Sequence, residues 1–290
     1  QNSSGGHGYG QWYWKRGKAS GGKGKGRGKG GKGKKKTGKG KGKAGTSMGR
    51  LAIMGSRVMD LGFGGKRAVV TGGTGALGTA VVGCLLEAGV EVWIPVFDSR
   101  ELTAFPYGDH SSVHTAEGVD LTAPAAVDAF YGAIPDLAAS IHIAGGFAFT
   151  PLEALTPAVL EGQYRMNALT ATLCCQAAVD RMAEGGQLLN VTARPALEPS
   201  GGPQLGAYTM AKAAVAALTR SLASELRPRG IGVNAIAPSV IDTAVNREAM
   251  PDADWSSWVK PEDAADVIVF LASPRNRVVS GACVPVYGNA

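Results

Sequence analysis

Residues 67–78 read RAVVTGGTGALG, and this stretch decides the fold of the 290-residue chain. The apolar, β-branched run at 67–71 predicts a buried strand, and the glycines directly after it predict a tight turn into a helix over 75–89. Such a turn lets the backbone approach a pyrophosphate, whose negative charge is met by the free N–H groups of the helix. Residues 73–78 also fit G-x-G-x-x-G in the strand-turn-helix context that this pattern requires. The stretch therefore predicts a dinucleotide site that includes Gly72, Thr74, Gly75, Ala76, Leu77 and Gly78.

Downstream of this turn, short apolar runs alternate with amphipathic stretches. The predicted strands lie over 67–71, 90–97, 140–145, 186–192, 231–238 and 282–287. The predicted helices lie over 75–89, 123–134, 160–183, 206–226 and 261–273. Strands that alternate with helices favour a parallel sheet covered on both faces. The predicted fold class is therefore α/β, a Rossmann-type doubly wound parallel sheet in a single domain over 64–290.

The charge of the chain is divided unevenly along its length. Of the 30 Lys and Arg residues, 16 lie before Asp60, whereas all 23 Asp and Glu residues lie at or after it. The first 59 residues therefore carry +16 and the remainder −9, although the whole chain carries +7. Residues 1–63 are rich in Gly and Lys and poor in apolar residues, which predicts a disordered basic tail and linker. Its aromatic residues beside lysines suggest nucleic-acid binding through the tail alone, and a solvated tail without a partner is the alternative.

Composition disfavours several classes of protein. Apolar runs are broken by Gly, Pro or charge before they reach the ~20 residues of a membrane-spanning helix, so we expect no membrane segment. The four cysteines are sparse, and Cys174 and Cys175 are adjacent, which fits a reduced compartment better than a disulfide or zinc scaffold. We therefore expect a cytoplasmic protein without a metal site. Residues 48–59 are acid-free and contain arginine, so an organellar protein is the alternative if they belong to a targeting segment.

The residues after the second predicted strand bear on the choice of cofactor. The Gly-Lys-Ser/Thr ending of a triphosphate-binding loop is absent from the glycine turn, which favours NAD or NADP over ATP. Asp98 could accept hydrogen bonds from the adenosine ribose of NAD, whereas Ser99 and Arg100 could hold the 2′-phosphate of NADP. By count from Gly78, the usual position of the ribose-binding acid falls on Val96. The sequence leaves the choice between NAD and NADP open.

A tyrosine and a lysine lie one turn apart in the helix predicted over 206–226. Tyr208 and Lys212 are four residues apart and therefore share one helical face. A phenol with an ordinary pKa of about 10 exchanges protons poorly at neutral pH unless a nearby cation stabilises the phenolate. Lys212 can supply that charge, so the pair is the candidate catalytic site.

Together these motifs resemble the short-chain dehydrogenase/reductase family over roughly residues 64–288. The matching features are the glycine turn, Asp120-Leu121 after a third strand, Ala144-Gly145 after a fourth, Asn167, Tyr208 with Lys212, and the stretch 233–243. The resemblance implies a cofactor site that also includes Asp98, Asp120, Leu121, Ala144, Gly145, Tyr208, Lys212, Pro238, Ile241 and Thr243. It further implies that Asn167 supports a proton relay, that the partner is a small-molecule substrate, and that the protein is a homodimer or homotetramer.

The chain departs from that family at the position of its catalytic serine, which falls on Ala193. Thr192 or Ser200 could substitute only if the register shifted or the loop folded back. Serine normally helps to polarise a carbonyl oxygen, so its absence suggests a substrate that is already electrophilic. The usual Asn-Asn-Ala-Gly also begins with His142, which we expect to be an ordinary hydrogen-bonded residue.

Quinonoid dihydropteridine reductases resemble the chain locally, at 75–78, 144–146, 193–194, 206–212 and 242–258. Four aromatic residues could stack on a planar substrate ring: Phe147, Phe149, Trp255 and Trp258. The leading hypothesis is an NAD(P)-dependent oxidoreductase that transfers hydride between nicotinamide C4 and a small carbonyl or quinonoid/imine substrate, with Tyr208 as proton donor or acceptor. The alternatives are a dihydropteridine-reductase-like enzyme, a catalytically weak cofactor-binding protein, and a nucleic-acid-associated protein acting through the tail.

Overall fold

The structure, a computed structural model, describes residues 60–182, 185–201 and 203–289. The predictions of a disordered basic tail, of nucleic-acid binding and of a targeting segment fall on residues 1–59 and lie outside the described residues.

The apolar runs between the helices form one sheet. Its seven strands pair in parallel in the order β3-β2-β1-β4-β5-β6-β7. Their bounds are β1 (Arg67–Thr71), β2 (Glu91–Pro95), β3 (Val113–Ala116), β4 (Ala139–His142), β5 (Gln187–Val191), β6 (Gly232–Pro238) and β7 (Cys283–Val286). The strand order reverses between β1 and β4, and ligands of such sheets bind in the crevice at the carboxyl ends of the strands there. The predicted doubly wound parallel sheet is confirmed.

Helices cover both faces of this sheet, which is why β4 and β5 are buried along their whole length. Their bounds are α1 (Ala76–Glu87), α2 (Pro124–Gly132), α3 (Pro157–Tyr164), α4 (Thr170–Val179), α5 (Arg194–Leu197), α6 (Gly206–Glu225), α7 (Ala244–Ala249) and α8 (Pro261–Leu271). One hydrophobic cluster packs α1 and α8 against the sheet, and a second packs α2, α4 and the end of α6 against it. The two clusters place the apolar core on either side of the strands.

The structure corrects several predicted elements. The helix predicted over 160–183 begins earlier, at Pro157, because Thr156 Oγ1 caps it by accepting a hydrogen bond from the Val159 N–H at 3.3 Å. A π-helical turn over Arg165–Leu169 then separates α3 from α4. The residue pattern predicted no strand at β3, because this short strand lies at the edge of the sheet and alternates little between buried and exposed residues. The short helices α5 and α7 were also not predicted, since neither is long enough to show a helical period.

Candidate active site

The glycine turn brings the ends of β1 and β4 into contact. Gly72 has a φ of +67°, which favours glycine, and a Cβ there would lie 2.9 Å from the Ala144 backbone nitrogen. Thr71 Oγ1 accepts a hydrogen bond from the same Ala144 N–H at 3.2 Å. A Cβ on Gly78 would lie 2.0 Å from the Gly72 carbonyl oxygen. The turn therefore requires glycine at both positions and forms a cradle of bare backbone.

The helix α1 begins directly after this cradle. Its N-cap is Gly75, which makes no side-chain hydrogen bond, and its first turn contains no acidic residue. Gly75 and Ala76 are exposed, whereas Leu77 is buried in the core and fixes the helix to the sheet. The first N–H groups of a helix lack partners within the helix and lie at the positive end of its dipole. This terminus therefore suits an anionic phosphate.

The chain after β2 forms a short 3₁₀ helix over Ser99–Ala104, with Asp98 as its N-cap. The Asp98 carboxylate accepts hydrogen bonds from the Arg100 backbone N–H at 2.9 Å and from Arg100 Nε at 2.8 Å, and this pairing lowers the pKa of Asp98 to about 2. Glu101 completes the capping box and accepts a hydrogen bond from Thr74 Oγ1 of the glycine turn at 2.5 Å. Val96 is fully buried. Asp98 is thus engaged by Arg100, and Glu101 is the acid that contacts the turn.

Asp120 and Leu121 follow β3 on the same carboxyl edge of the sheet. Asp120 Oδ1 accepts hydrogen bonds from the backbone N–H and the hydroxyl of Thr122, each at 2.8 Å. Leu121 is half-buried against the second hydrophobic cluster. The inclusion of Asp120 and Leu121 in a cofactor site stays a prediction.

The π-helical turn holds Asn167 against the segment that follows β4. Asn167 is 1% exposed; its Oδ1 accepts from the Gly146 N–H at 3.2 Å, and its Nδ2 donates to the Gly146 carbonyl oxygen at 3.0 Å. A Cβ on Gly146 would lie 1.8 Å from Met166 Sδ, and one on Gly145 would lie 2.6 Å from Asn167 Oδ1. The side chain therefore binds both backbone groups of Gly146, and its hydrogen-bonded Oδ1 leaves no room for a Cβ on Gly145. Single π-helical turns often occur at functional sites.

The helix α6 carries Tyr208 and Lys212 to the end of β5. Lys212 is 6% exposed, and its Nζ donates to the Val191 carbonyl oxygen at 2.9 Å. The same Nζ lies 6.0 Å from the centroid of the Tyr208 ring, and a Cβ on Gly145 would lie 3.3 Å from it. Burial lowers the pKa of Lys212 to about 8 and raises the pKa of Tyr208 above its ordinary value. The structure thus brings the predicted pair together with the segment after β4.

No hydroxyl stands at the position expected for a catalytic serine. Ala193 is 4% exposed and is the N-cap of α5, where it makes no side-chain hydrogen bond. The hydroxyl of Thr192 donates to the Lys212 carbonyl oxygen at 2.7 Å, so it is committed to holding α6 against β5. Ser200 is exposed in a separate 3₁₀ turn over Pro199–Gly201. The substitution of Thr192 or Ser200 for the serine is therefore not supported by this geometry.

The residues after β6 continue the carboxyl edge of the sheet. Pro238 ends β6 and is buried. Ile241 forms an isolated bridge with Val259, and Thr243 caps α7 by accepting from a backbone N–H at 3.1 Å. Their predicted contact with a cofactor stays a prediction.

Two pairs of aromatic residues lie among the candidate substrate residues. Phe147 packs edge-to-face against both Tyr208 and Phe149, with 4.8 Å between ring centroids in each pair. Trp255 and Trp258 form the other pair, with centroids 6.4 Å apart. Phe147 therefore contacts the candidate catalytic tyrosine directly, and Phe149 is connected to it through Phe147.

His142 lies at the centre of a buried polar chain. Its Nδ1 is 2.8 Å from Asn190 Oδ1, and its Nε2 is 2.8 Å from Ser140 Oγ. Asn190 Nδ2 donates a hydrogen bond to Thr219 Oγ1 on α6 at 3.0 Å, so Asn190 Oδ1 is the atom that faces the imidazole. Because Oδ1 can only accept, the proton of the imidazole lies on His142 Nδ1. Burial lowers the pKa of His142 to about 4. A neutral imidazole therefore connects β4, β5 and α6.

Sequence reasoning missed the contacts that assemble this site. Each of these contacts joins residues that are 20 or more positions apart in the sequence: Glu101 with Thr74, Asn167 with Gly146, and Thr192 with the Lys212 carbonyl oxygen. One signal was readable, since Asp98 and Glu101 have the spacing of a capping box. The two other contacts depend on how α3, α4 and α6 pack, which local spacing does not encode.

Within 60–182, 185–201 and 203–289, no helix is both long and apolar enough to cross a membrane. In the same described ranges, no group of three or more His, Cys, Asp or Glu side chains is placed to hold a metal ion.

Comparison with known proteins gives matches over most of the chain. A family described as enoyl-(acyl carrier protein) reductase matches residues 73–288. Galactitol 2-dehydrogenase of Rhizobium johnstonii is 32% identical over 243 residues, which cover 77% of this chain and 93% of that protein. The 2,3-dihydroxy-2,3-dihydro-p-cumate dehydrogenase of Pseudomonas putida is 30% identical over 250 residues, which cover 78% of this chain and 94% of that protein.

Among solved structures, a blue fluorescent protein from a metagenomic library, in complex with NADPH, is similar with a TM-score of 0.71 and 27% identity. The alignment covers 79% of this chain and 99% of that chain.

Proposed function

Since the chain belongs to the short-chain dehydrogenase/reductase family, we propose that this NAD(P)-dependent oxidoreductase uses Tyr208 as proton donor or acceptor for a small carbonyl, imine or quinonoid substrate. The observation that carries the proposal is the buried Lys212 ammonium, which lies beside the Tyr208 ring and the segment after β4. Tyr208 and Lys212 therefore stand at the carboxyl edge of the sheet, where the cofactor of such a fold binds.

The residues of the cradle fit a dinucleotide. Cβ atoms on Gly72 and Gly78 would collide with backbone, so the turn keeps free the surface that a pyrophosphate approaches. The uncapped first turn of α1 offers its N–H groups to the phosphates, and the rigid Ala144-Gly145 segment would lie beside the nicotinamide ribose. The bound cofactor supplies or accepts a hydride at nicotinamide C4.

The groups around Tyr208 control how readily its hydroxyl exchanges a proton. Burial alone disfavours the phenolate of Tyr208, whereas a protonated Lys212 favours it, so proton exchange by Tyr208 depends on Lys212 staying charged. The Val191 carbonyl oxygen orients the Lys212 ammonium, and the Thr192 hydroxyl holds the backbone of the same residue. Asn167 fixes the Gly146 backbone and so supports the cofactor side of the site.

A pair of matched variants tests the role of Tyr208. Tyr208→Phe removes only the hydroxyl and should lower kcat by about 100-fold or more, because general acid–base catalysis contributes on that scale. The control is Tyr164→Phe, which removes the hydroxyl of an exposed tyrosine at the end of α3. Undiminished turnover by Tyr208→Phe would refute the proposed mechanism.

The absent hydroxyl at position 193 favours a second candidate, a dihydropteridine-reductase-like reaction on a quinonoid or imine ring. Serine is a preferred N-cap, so Ala193→Ser should stabilise α5 by about 1 kcal/mol, and the fold does not forbid a serine there. A substrate that is already electrophilic needs no second donor. If this candidate is right, wild-type protein reduces quinonoid dihydropterin faster than simple ketones, and Ala193→Ser improves only the ketones. A faster wild-type reaction with ketones would exclude it.

We further propose a cytoplasmic homo-oligomer. Support comes from the free thiols of Cys84, Cys174, Cys175 and Cys283, and from the exposed apolar side chain of Met210 on α6. Light scattering coupled to gel filtration tests the assembly, and a monomer at micromolar concentration would contradict it.

A further inference from the structure

The segment after β4 places Phe147 against the ring of Tyr208. Phe147 is 37% exposed although one side of its ring packs against Tyr208 at 4.8 Å between centroids, with 74° between the ring planes. Phe149 is 49% exposed and packs against Phe147 with 90° between the planes. Partly exposed aromatic rings thus lie next to the hydroxyl-bearing ring that is proposed to move the substrate proton.

The position of Phe147 is fixed by the backbone before it. Asn167 binds both the N–H and the carbonyl oxygen of Gly146, the residue directly before Phe147. Asn167 Oδ1 approaches Gly145 so closely that a Cβ there would lie 2.6 Å from it. The backbone before Phe147 is therefore fixed, and its ring packs against Tyr208 and Phe149, so the ring loses little freedom when a ligand binds.

We infer that Phe147 is a specificity-determining residue that selects substrates with a flat, unsaturated ring beside the reacting carbon. The inference rests on the proposed function and names its substrate class. An aromatic ring gains edge-to-face or offset contacts with Phe147 beyond the area that it buries, whereas a saturated ring of the same size gains only the burial. The contacts of Phe147 with Tyr208 and Phe149 are already of the edge-to-face kind.

Two aldehydes that differ only in the ring test the inference. Benzaldehyde and cyclohexanecarbaldehyde carry the same reacting group, and the saturated ring is the more apolar, so simple hydrophobicity would favour cyclohexanecarbaldehyde. Wild-type protein should have a KM for benzaldehyde about tenfold lower than for cyclohexanecarbaldehyde, as expected for an extra aromatic contact. Phe147→Leu should abolish this difference by raising the KM of benzaldehyde alone, with kcat little changed.

Further variants separate a specific role from a structural one. Phe147→Tyr keeps the ring and should restore the preference, whereas Phe270→Leu removes a 40% exposed phenylalanine of α8 and should leave the preference unchanged. The inference is overturned if Phe147→Leu raises both KM values equally, or if wild-type protein shows no preference for the flat ring.

Binding without turnover separates this inference from the proposed function. Benzyl alcohol and cyclohexylmethanol are titrated calorimetrically into protein saturated with reduced cofactor, a combination that cannot react. Tighter binding of benzyl alcohol by about tenfold, lost in Phe147→Leu, supports the ring subsite even if neither aldehyde is reduced, an outcome in which only the proposed function fails. Equal binding of the two alcohols, or no binding of either, overturns the ring subsite.

Discussion

At the scale of single residues, Lys212 combines a buried position with a charge that the reaction needs. Its ammonium is bound by one backbone carbonyl, that of Val191, and burial lowers the pKa of Lys212 to about 8. Lys212 is therefore mostly protonated at neutral pH and loses its charge within the range in which enzymes are assayed. The protonation state of this residue controls how easily Tyr208 gives up its proton.

This environment predicts a pH dependence that one substitution removes. In wild-type protein, kcat/KM should fall as pH rises through about 8, because neutral Lys212 no longer favours the Tyr208 phenolate. The Lys212→Arg variant keeps a positive charge at this position at every accessible pH, so its pH–rate profile should lack this descending limb. The profiles are normalised to their own maxima, so a lower absolute rate of the variant does not matter. A limb at the same pH in both proteins would show that another group titrates.

His142 predicts a loss of stability in acid. Its pKa is about 4 in the folded chain and about 6.5 in an unfolded one, so only the unfolded state gains this proton between those values. The free energy of unfolding should therefore fall as pH drops from 6.5 to 4, by up to about 3 kcal/mol from this residue. Urea unfolding across this range should show a shallower fall of the free energy of unfolding for His142→Asn than for the wild type. Parallel curves for His142→Asn and wild type would contradict the assignment.

At the scale of elements, the turn between β1 and α1 depends on the absence of side chains. A Cβ on Gly78 would meet the Gly72 carbonyl oxygen at 2.0 Å. Gly78→Ala should therefore distort the cradle at a cost of about 2 kcal/mol and weaken cofactor binding by roughly tenfold or more. Gly162→Ala is the matched control, since nothing lies within 4 Å of its Cβ position on α3. Calorimetric titration with cofactor measures both, and unchanged affinity in Gly78→Ala would contradict the proposed pyrophosphate site.

The 3₁₀ helix after β2 bears on the choice between NADH and NADPH. Arg100 pairs with Asp98, and because its side chain is 82% exposed, the guanidinium can also contact a ribose 2′-phosphate. Arg100→Ala should weaken NADPH binding about tenfold relative to NADH, because it removes a charge-assisted contact and leaves Asp98 unpaired. Arg277→Ala removes another exposed arginine and should change neither affinity. Equal weakening of both cofactors by Arg100→Ala would place Arg100 outside the phosphate subsite.

Elements with a strong local signal were predicted, and those set by packing were not. The first strand, the glycine turn and α6 follow from apolar period, glycine spacing and the Tyr208–Lys212 interval. The π-helical turn over Arg165–Leu169 was not predictable, because no glycine or proline lies within it, and the contact of Asn167 with Gly146 depends on tertiary packing. The hydrogen bond from the Thr192 hydroxyl to the Lys212 carbonyl oxygen likewise depends on how closely α6 approaches β5.

At the scale of the whole molecule, the alternation of strands and helices predicted a parallel sheet, and the site lies along its carboxyl edge. The part of the sequence that forms the sheet carries an excess of acidic residues, yet its proposed cofactor is an anion. Local features resolve this contrast: a bare glycine turn, a helix N-terminus and the buried ammonium of Lys212. The basicity of the whole chain therefore says little about this site.

A single-turnover experiment tests the central claim, that Tyr208 moves the proton in a reaction of nicotinamide cofactor bound at this edge. Protein saturated with reduced cofactor is mixed with substrate, and the loss of the reduced nicotinamide absorbance is followed for wild type and Tyr208→Phe. At full cofactor occupancy, the central claim predicts a rate at least about 100-fold lower in Tyr208→Phe than in the wild type. Equal rates in the two proteins, at equal cofactor occupancy, would contradict it.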